Sequence, residues 1–137
     1  MDLQNLSYAL VQLVHNFGAA AVVGVPLAAL TLARGQLATQ HKLTWLVLAG
    51  WLAQFASGAG FGAVSYYNYG KFPDIHGIAT GALAIKVACA ATALLVAFAL
   101  LRMGTKWTEK SRHRAWHSLT SLGTIALTAA AFLRWFS

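Results

Sequence analysis

Seven side chains in this 137-residue chain lie within or at the edge of long apolar blocks and are too polar to be there without a partner: Gln12, His15, Asn16, Gln54, His76, Lys86 and His117. In hydrocarbon an ionisable or strongly polar group must be satisfied, so these residues form the shortlist for binding or chemistry. Lys86 is the most unusual of them. It stands about ten residues into the third apolar block, roughly 15 Å deep at about 1.5 Å per residue, close to a bilayer midplane. The acids of the sequence are Asp2, Asp74 and Glu109, all outside the blocks, so the chain offers Lys86 no carboxylate within the core. The lysine is then neutral, or faces a wet cavity near Gln54, or pairs with an anion from a ligand, a lipid or a partner subunit. The structural alternative is a lysine bonded to helix carbonyls and Gln54.

The histidines carry the second possibility for chemistry. His15 and His76 come from different blocks at the same membrane face, and two neutral imidazoles projecting into a helix bundle are what a six-coordinate b-type haem needs. If the first span starts at Tyr8, His15 lies some 10 Å deeper than His76. If it starts near Gln12, the two reach similar heights. His117, beside Trp116, is either an interfacial residue or a further ligand, while His41 and His113 read as solvated loop residues. Copper is the rival ion, because imidazole suits both metals. With only Met1 and Met103 present, the sequence gives no support to a methionine-rich copper relay. On the first block Tyr8, Gln12, His15 and Asn16 share one helical face, expected to point into the bundle. Gln54 forms the polar centre of a small-residue groove with Gly50, Ser57, Gly58 and Phe61 on the second.

The elements that must position these residues follow from composition. A chain with 58% hydrophobic and 9% charged residues belongs to the membrane class. Four apolar blocks, 9–33, 43–65, 76–101 and 115–136, each meet the roughly 20 residues needed to cross hydrocarbon. The reading is an all-α protein: a single integral membrane domain, 1–137, folded as an antiparallel bundle of four transmembrane helices with short connections. The first block follows Asp2 rather than a basic segment and runs past the length of a signal-peptide core, so it is expected to be retained. Seven of the ten Lys and Arg residues fall in the first and third connections: Arg34, Lys42, Arg102, Lys106, Lys110, Arg112 and Arg114. The positive-inside rule then puts both connections in the cytoplasm and both termini on the outer side. This distribution accounts for the net charge of +7 without nucleic acid. Cys89 reads as a small packing residue. Gly58 with Gly62, and Gly77 with Gly81, are spaced to let helices approach, either within this bundle or between two copies.

Two segments are similar to small four-helix membrane proteins of the CopD copper-resistance and HemJ protoporphyrinogen-oxidase-like group. Leu13-Val14-His15-Asn16-Phe17-Gly18 resembles that group's opening histidine, and Leu83-Ala84-Ile85-Lys86-Val87, running through to Leu100-Leu101-Arg102, resembles its intramembrane lysine and basic exit. The resemblance implies that His15 is a haem or metal ligand, that Lys86 is a ligand-facing cation, and that the chain sits in a bacterial cytoplasmic (inner) membrane. The histidines that HemJ-like proteins carry around that lysine are replaced here by Ala84 and Phe98, which argues against protoporphyrinogen oxidation. The leading expectation is a b-type haem protein for electron transfer or haem handling. His15 and His76 would be the axial ligands, and Lys86, Gln54 and Asn16 would line the pocket. The alternatives are a copper-handling protein using His15, His76 and His117, or a non-catalytic subunit of a homo-oligomer or larger membrane complex.

Overall fold

Runs of Ala and Leu favour helix, and in this chain they are broken only where a residue can end one. The computed structural model describes residues 3–136, which form four α-helices: α1 (Leu3–Thr31), α2 (Leu37–Tyr69), α3 (Ile78–Met103) and α4 (Glu109–Trp135). A short 3-10 turn, Gly104–Lys106, leads out of α3. At most ends the helices overrun the apolar blocks, because polar flanking residues continue the backbone ladder until a cap stops it. Gly70 ends α2 in the left-handed region at φ 68°, its N–H donating to the Tyr66 carbonyl, a conformation that glycine adopts without a Cβ penalty. Thr108 starts α4, its Oγ1 accepting from the Ser111 N–H at 3.2 Å, with Glu109 well placed at the positive end of the helix. The observed helix starts, at Leu37, Ile78 and Glu109, revise three expectations. His113 lies inside α4 and His41 inside α2 rather than in loops, and His76 lies in the connection before α3 rather than at a helix start.

Of the four expected crossings, α1, α2 and the stretch Ile78–Lys106 are long and apolar enough to span a membrane. Large apolar side chains on their outer faces are bare, among them Phe17 and Leu95, each 72% exposed, as hydrocarbon-facing residues are. The fourth helix is 27 residues long but falls short in hydropathy. Its first turns hold Glu109, Lys110, Arg112 and Arg114, and Ser118, Thr120, Thr124 and Thr128 follow. Each of those four hydroxyls donates to the carbonyl four residues back, at 2.9–3.0 Å, so their polarity is satisfied within the helix.

The helices pack as two close pairs, α1 on α2 and α3 on α4, which meet less extensively through α1 with α4 and α2 with α3. Trp51 of α2 and Trp116 of α4 are the largest fully buried side chains, and α3 adds Ala90, Ala93 and Ala97 to the same core. Near the connections α1–α2 and α3–α4, Trp116 Nε1 donates to Gln40 Oε1 at 3.3 Å, and Gln40 Nε2 donates to the Ala33 carbonyl at 3.0 Å. Arg112 closes the end of α3 by donating to the Trp107 and Gly104 carbonyls.

Close approach is made by glycines other than those at GxxxG spacing. A Cβ on Gly58 or Gly81 would meet nothing within 4 Å, and one on Gly62 would touch only Phe72 of the following connection. In contrast, a Cβ on Gly50 would come 2.9 Å from Ala21 Cβ, one on Gly18 would come 3.1 Å from the Gly50 carbonyl, and one on Gly123 would come 2.7 Å from the Val22 carbonyl. Val22 is the residue whose carbonyl an N–H at position 26 would engage, and position 26 is Pro26. Proline has no N–H, so this carbonyl is released from the α1 ladder. At this released group Gly123 of α4 packs close against the α1 backbone, across the seam between the helix pairs. Gly123→Ala is therefore expected to destabilise the fold by about 1–3 kcal/mol, the usual scale of overpacking, whereas Gly58→Ala is neutral. Thermal unfolding of the two variants in detergent checks this, and equal melting temperatures would remove the close approach from the account.

Candidate functional site

His15, Gln54, Ser57 and Lys86 come together where α1, α2 and α3 meet. Gln54 and Ser57 are one helical turn apart on the inner face of α2, 5% and 4% exposed, while His15 and Lys86 are half-buried. The Lys86 ammonium lies 3.3 Å from His15 Nε2. An ammonium has donors only, so Nε2 must accept. The ring proton therefore sits on Nδ1, which donates to Ser57 Oγ at 2.8 Å. Ser57 in turn donates to the Ala53 carbonyl at 2.5 Å. With lysine charged, the result is one directional chain, Lys86 to His15 to Ser57 to the α2 backbone. Gln54 Nε2 donates to the His15 carbonyl at 2.5 Å, fixing the α1 backbone, and the Phe61 ring meets the imidazole edge-on at a centroid distance of 5.5 Å.

The site has an asymmetric charge. Lys86 is bonded to an imidazole that is neutral in this arrangement, so its positive charge is met by a dipole and not by an anion. Glu109 pairs with Arg34 at 3.8 Å and Asp74 with His76 at 2.6 Å. Neither carboxylate is engaged by Lys86, and Asp2 lies outside the described residues.

Other shortlisted residues lie elsewhere. Gln54 bonds the His15 backbone and is not the hydrogen-bond partner of Lys86. Asn16 is on the exposed flank of α1, where its Oδ1 accepts from Gln12 Nε2 at 2.6 Å. The face of α1 that turns inward carries Gly18, Val22, Pro26 and Ala29, and Asn16 stands to one side of it. His76 is 82% exposed in the α2–α3 connection. Lys86, which touches His15, stands about 12 Å further along α3 than Ile78 at the helical rise, so His15 and His76 do not face one another. His117 is exposed near the start of α4, and its neighbour is His113, with the two Nε2 atoms 3.0 Å apart. That pairing could have been read from the four-residue spacing had the Thr108 cap been taken as the helix start. Among the described residues, no group of three or more His, Cys, Asp or Glu is arranged to hold a metal ion. The imidazole of His15 could ligate one through Nε2 only if Lys86 turned away.

The two polar partners can be tested against each other. His15→Leu strands the Lys86 ammonium and is expected to cost about 1–3 kcal/mol or more, whereas the double variant His15→Leu with Lys86→Met removes both groups and recovers most of that loss. Chemical unfolding of the three proteins in one detergent measures it. A double variant no more stable than His15→Leu would mean that the pair is not coupled.

Comparison with protein-family models, with characterised proteins and with solved structures returned no match. The resemblance to CopD and HemJ proteins accordingly stands on the segments around His15 and Lys86 alone.

Proposed function

We propose that this chain is an integral membrane protein of four antiparallel crossings that binds the electron-rich head of a lipid-soluble redox ligand, a quinone-type carbonyl or a haem propionate, at Lys86 and His15. The observation that carries the reading is the Lys86–His15 bond. A cation inside apolar helices, half-buried and, among the described residues, met by a neutral ring, leaves donor capacity and uncompensated charge for a further acceptor. Its position at the looser seam between the two helix pairs supports access from the bilayer. The internal satisfaction of the α4 hydroxyls supports a fourth crossing, and the basic residues in the first and third connections support cytoplasmic loops with both termini outside.

Ligation of haem b or copper by His15 is the competing use of the same nitrogen. It requires the Lys86 bond to open, and in this protein it would rest on one imidazole from the seam rather than on His15 with His76.

Full-length protein, purified in detergent after haem-replete expression, separates these readings. Haemin and a short-chain alkyl benzoquinone are titrated against wild type and Lys86→Met. The expected result is binding of at least one probe that Lys86→Met weakens more than about tenfold, equivalent to about 1.4 kcal/mol. A Soret band lost in His15→Ala but kept in Lys86→Met would transfer the site to haem ligation, and copper that metal analysis finds in wild type and in His113→Ala but not in His15→Ala would transfer it to that ion. Equal binding by wild type and Lys86→Met, or binding of neither probe, overturns the proposal. In the second case, loss of a co-purifying membrane subunit in Lys86→Leu would identify a partner as the source of the missing anion.

A further inference from the structure

His113 and His117 lie one turn apart on α4, at the end of the molecule where Arg34 meets Glu109 and Gln40 meets Trp116. Their rings stand edge to face, 82° between planes and 4.6 Å between centroids. Both aim the same nitrogen, Nε2, at the space between them, and the two atoms are 3.0 Å apart. His117 is exposed and His113 half-buried, so this space is open to water. Two neutral imidazoles can share one N–H···N bond here.

We propose that His113 and His117 form a binding site for a divalent transition-metal ion of tetragonal preference, Cu2+ or Ni2+. The separation of the two nitrogens fits that preference. With imidazole–metal bonds of about 2.0–2.1 Å, two nitrogens 3.0 Å apart subtend about 94° at the ion. This is the cis angle of a square-planar or octahedral centre and well below the tetrahedral angle that zinc takes. Binding requires the shared proton to move to Nδ1 of its own ring, which frees both Nε2 lone pairs and leaves each ring neutral. Water completes the shell, since no third His, Cys, Asp or Glu joins the pair among the described residues. Two protein ligands and an open remainder describe an exchangeable site, unlike the closed shells of structural metals. Lys110, Arg112 and Arg114 surround the site in sequence. Their repulsion of a dication is screened by salt, so affinity rises with ionic strength.

The site lies on a different helix from His15, and its test does not depend on the seam ligand. Full-length protein without a histidine tag is titrated in detergent with Cu2+ and, separately, Zn2+, and the copper form is read by electron paramagnetic resonance. The expected result is one Cu2+ per chain in a tetragonal spectrum with two-nitrogen coupling. His113→Ala and His117→Ala should each weaken binding by more than about tenfold, a loss that even outer-shell partners can cause. His76→Ala, which alters the exposed pair with Asp74, leaves binding unchanged. Unaltered helix content in the circular dichroism of the variants shows that the loss is local. Copper binding that survives both α4 substitutions, copper binding lost in His76→Ala, or tighter binding of Zn2+ than of Cu2+ overturns the proposal.

Discussion

An ammonium group placed among apolar helices must be given an acceptor, and the arrangement around Lys86 answers to that requirement. The partner is an imidazole from α1, and a neutral imidazole can accept at Nε2 only if its own proton is placed at Nδ1. Ser57 Oγ accepts a hydrogen bond from that N–H and donates its own to the Ala53 carbonyl of α2. Three helices are thereby tied by one chain of donors, and the directions of all its bonds follow from the single fact that lysine has no lone pair to give while charged. Gln54 adds a second tie from α2 to the α1 backbone, so the imidazole is held from both ring and main chain.

This chain of bonds also joins the two closely packed helix pairs. Without water to drive apolar surfaces together, helices in a membrane associate through close van der Waals contact and interhelical hydrogen bonds. Both kinds of contact occur at the seam. The polar one is Lys86 with His15. The close-packed one is Gly123 against the Val22 carbonyl, a group set free by Pro26. Nearer the basic connections, Trp116 with Gln40 supplies a third link. The seam is thus pinned at separated heights while remaining less extensively packed than the interior of each pair.

The polarity of α4 shows how an average over residue types differs from an environment. Four hydroxyls lower its hydropathy, yet each is turned back onto its own helix. The groups on α4 that look outward for partners are at its basic end, where His113, His117, Arg112 and Glu109 meet solvent, the end of α3 and the first connection. The polar groups open to the outside are concentrated there, whereas Lys86 and His15 lie among the apolar helices.

The sequence by itself determined the helical class, the three strongly apolar spans, the inward turn of His15 and the anomaly of Lys86. These follow from length, hydropathy and helical period, which are local properties of the chain. It also brought Gln54 and Ser57 onto one face of α2, because their spacing is close to one turn. Only the tertiary structure decided which polar groups meet. Lys86 could have bonded Gln54 or a carbonyl, and it reaches His15 because α3 crosses the α1–α2 pair at that height. Asn16 fell outside the site because the inward face of α1 is set by Gly18 and Val22, not by its polar stripe. GxxxG spacing did not mark the close contacts, since a glycine permits approach only where another backbone is present, as at Gly50 and Gly123. His76 and His113 changed places between helix and connection because α3 begins only after Gly77 and α4 already at the Thr108 cap, rather than at the edges of the apolar blocks. Spacing along one helix is written in the chain, while the height and rotation at which two helices meet depend on the fit of all four.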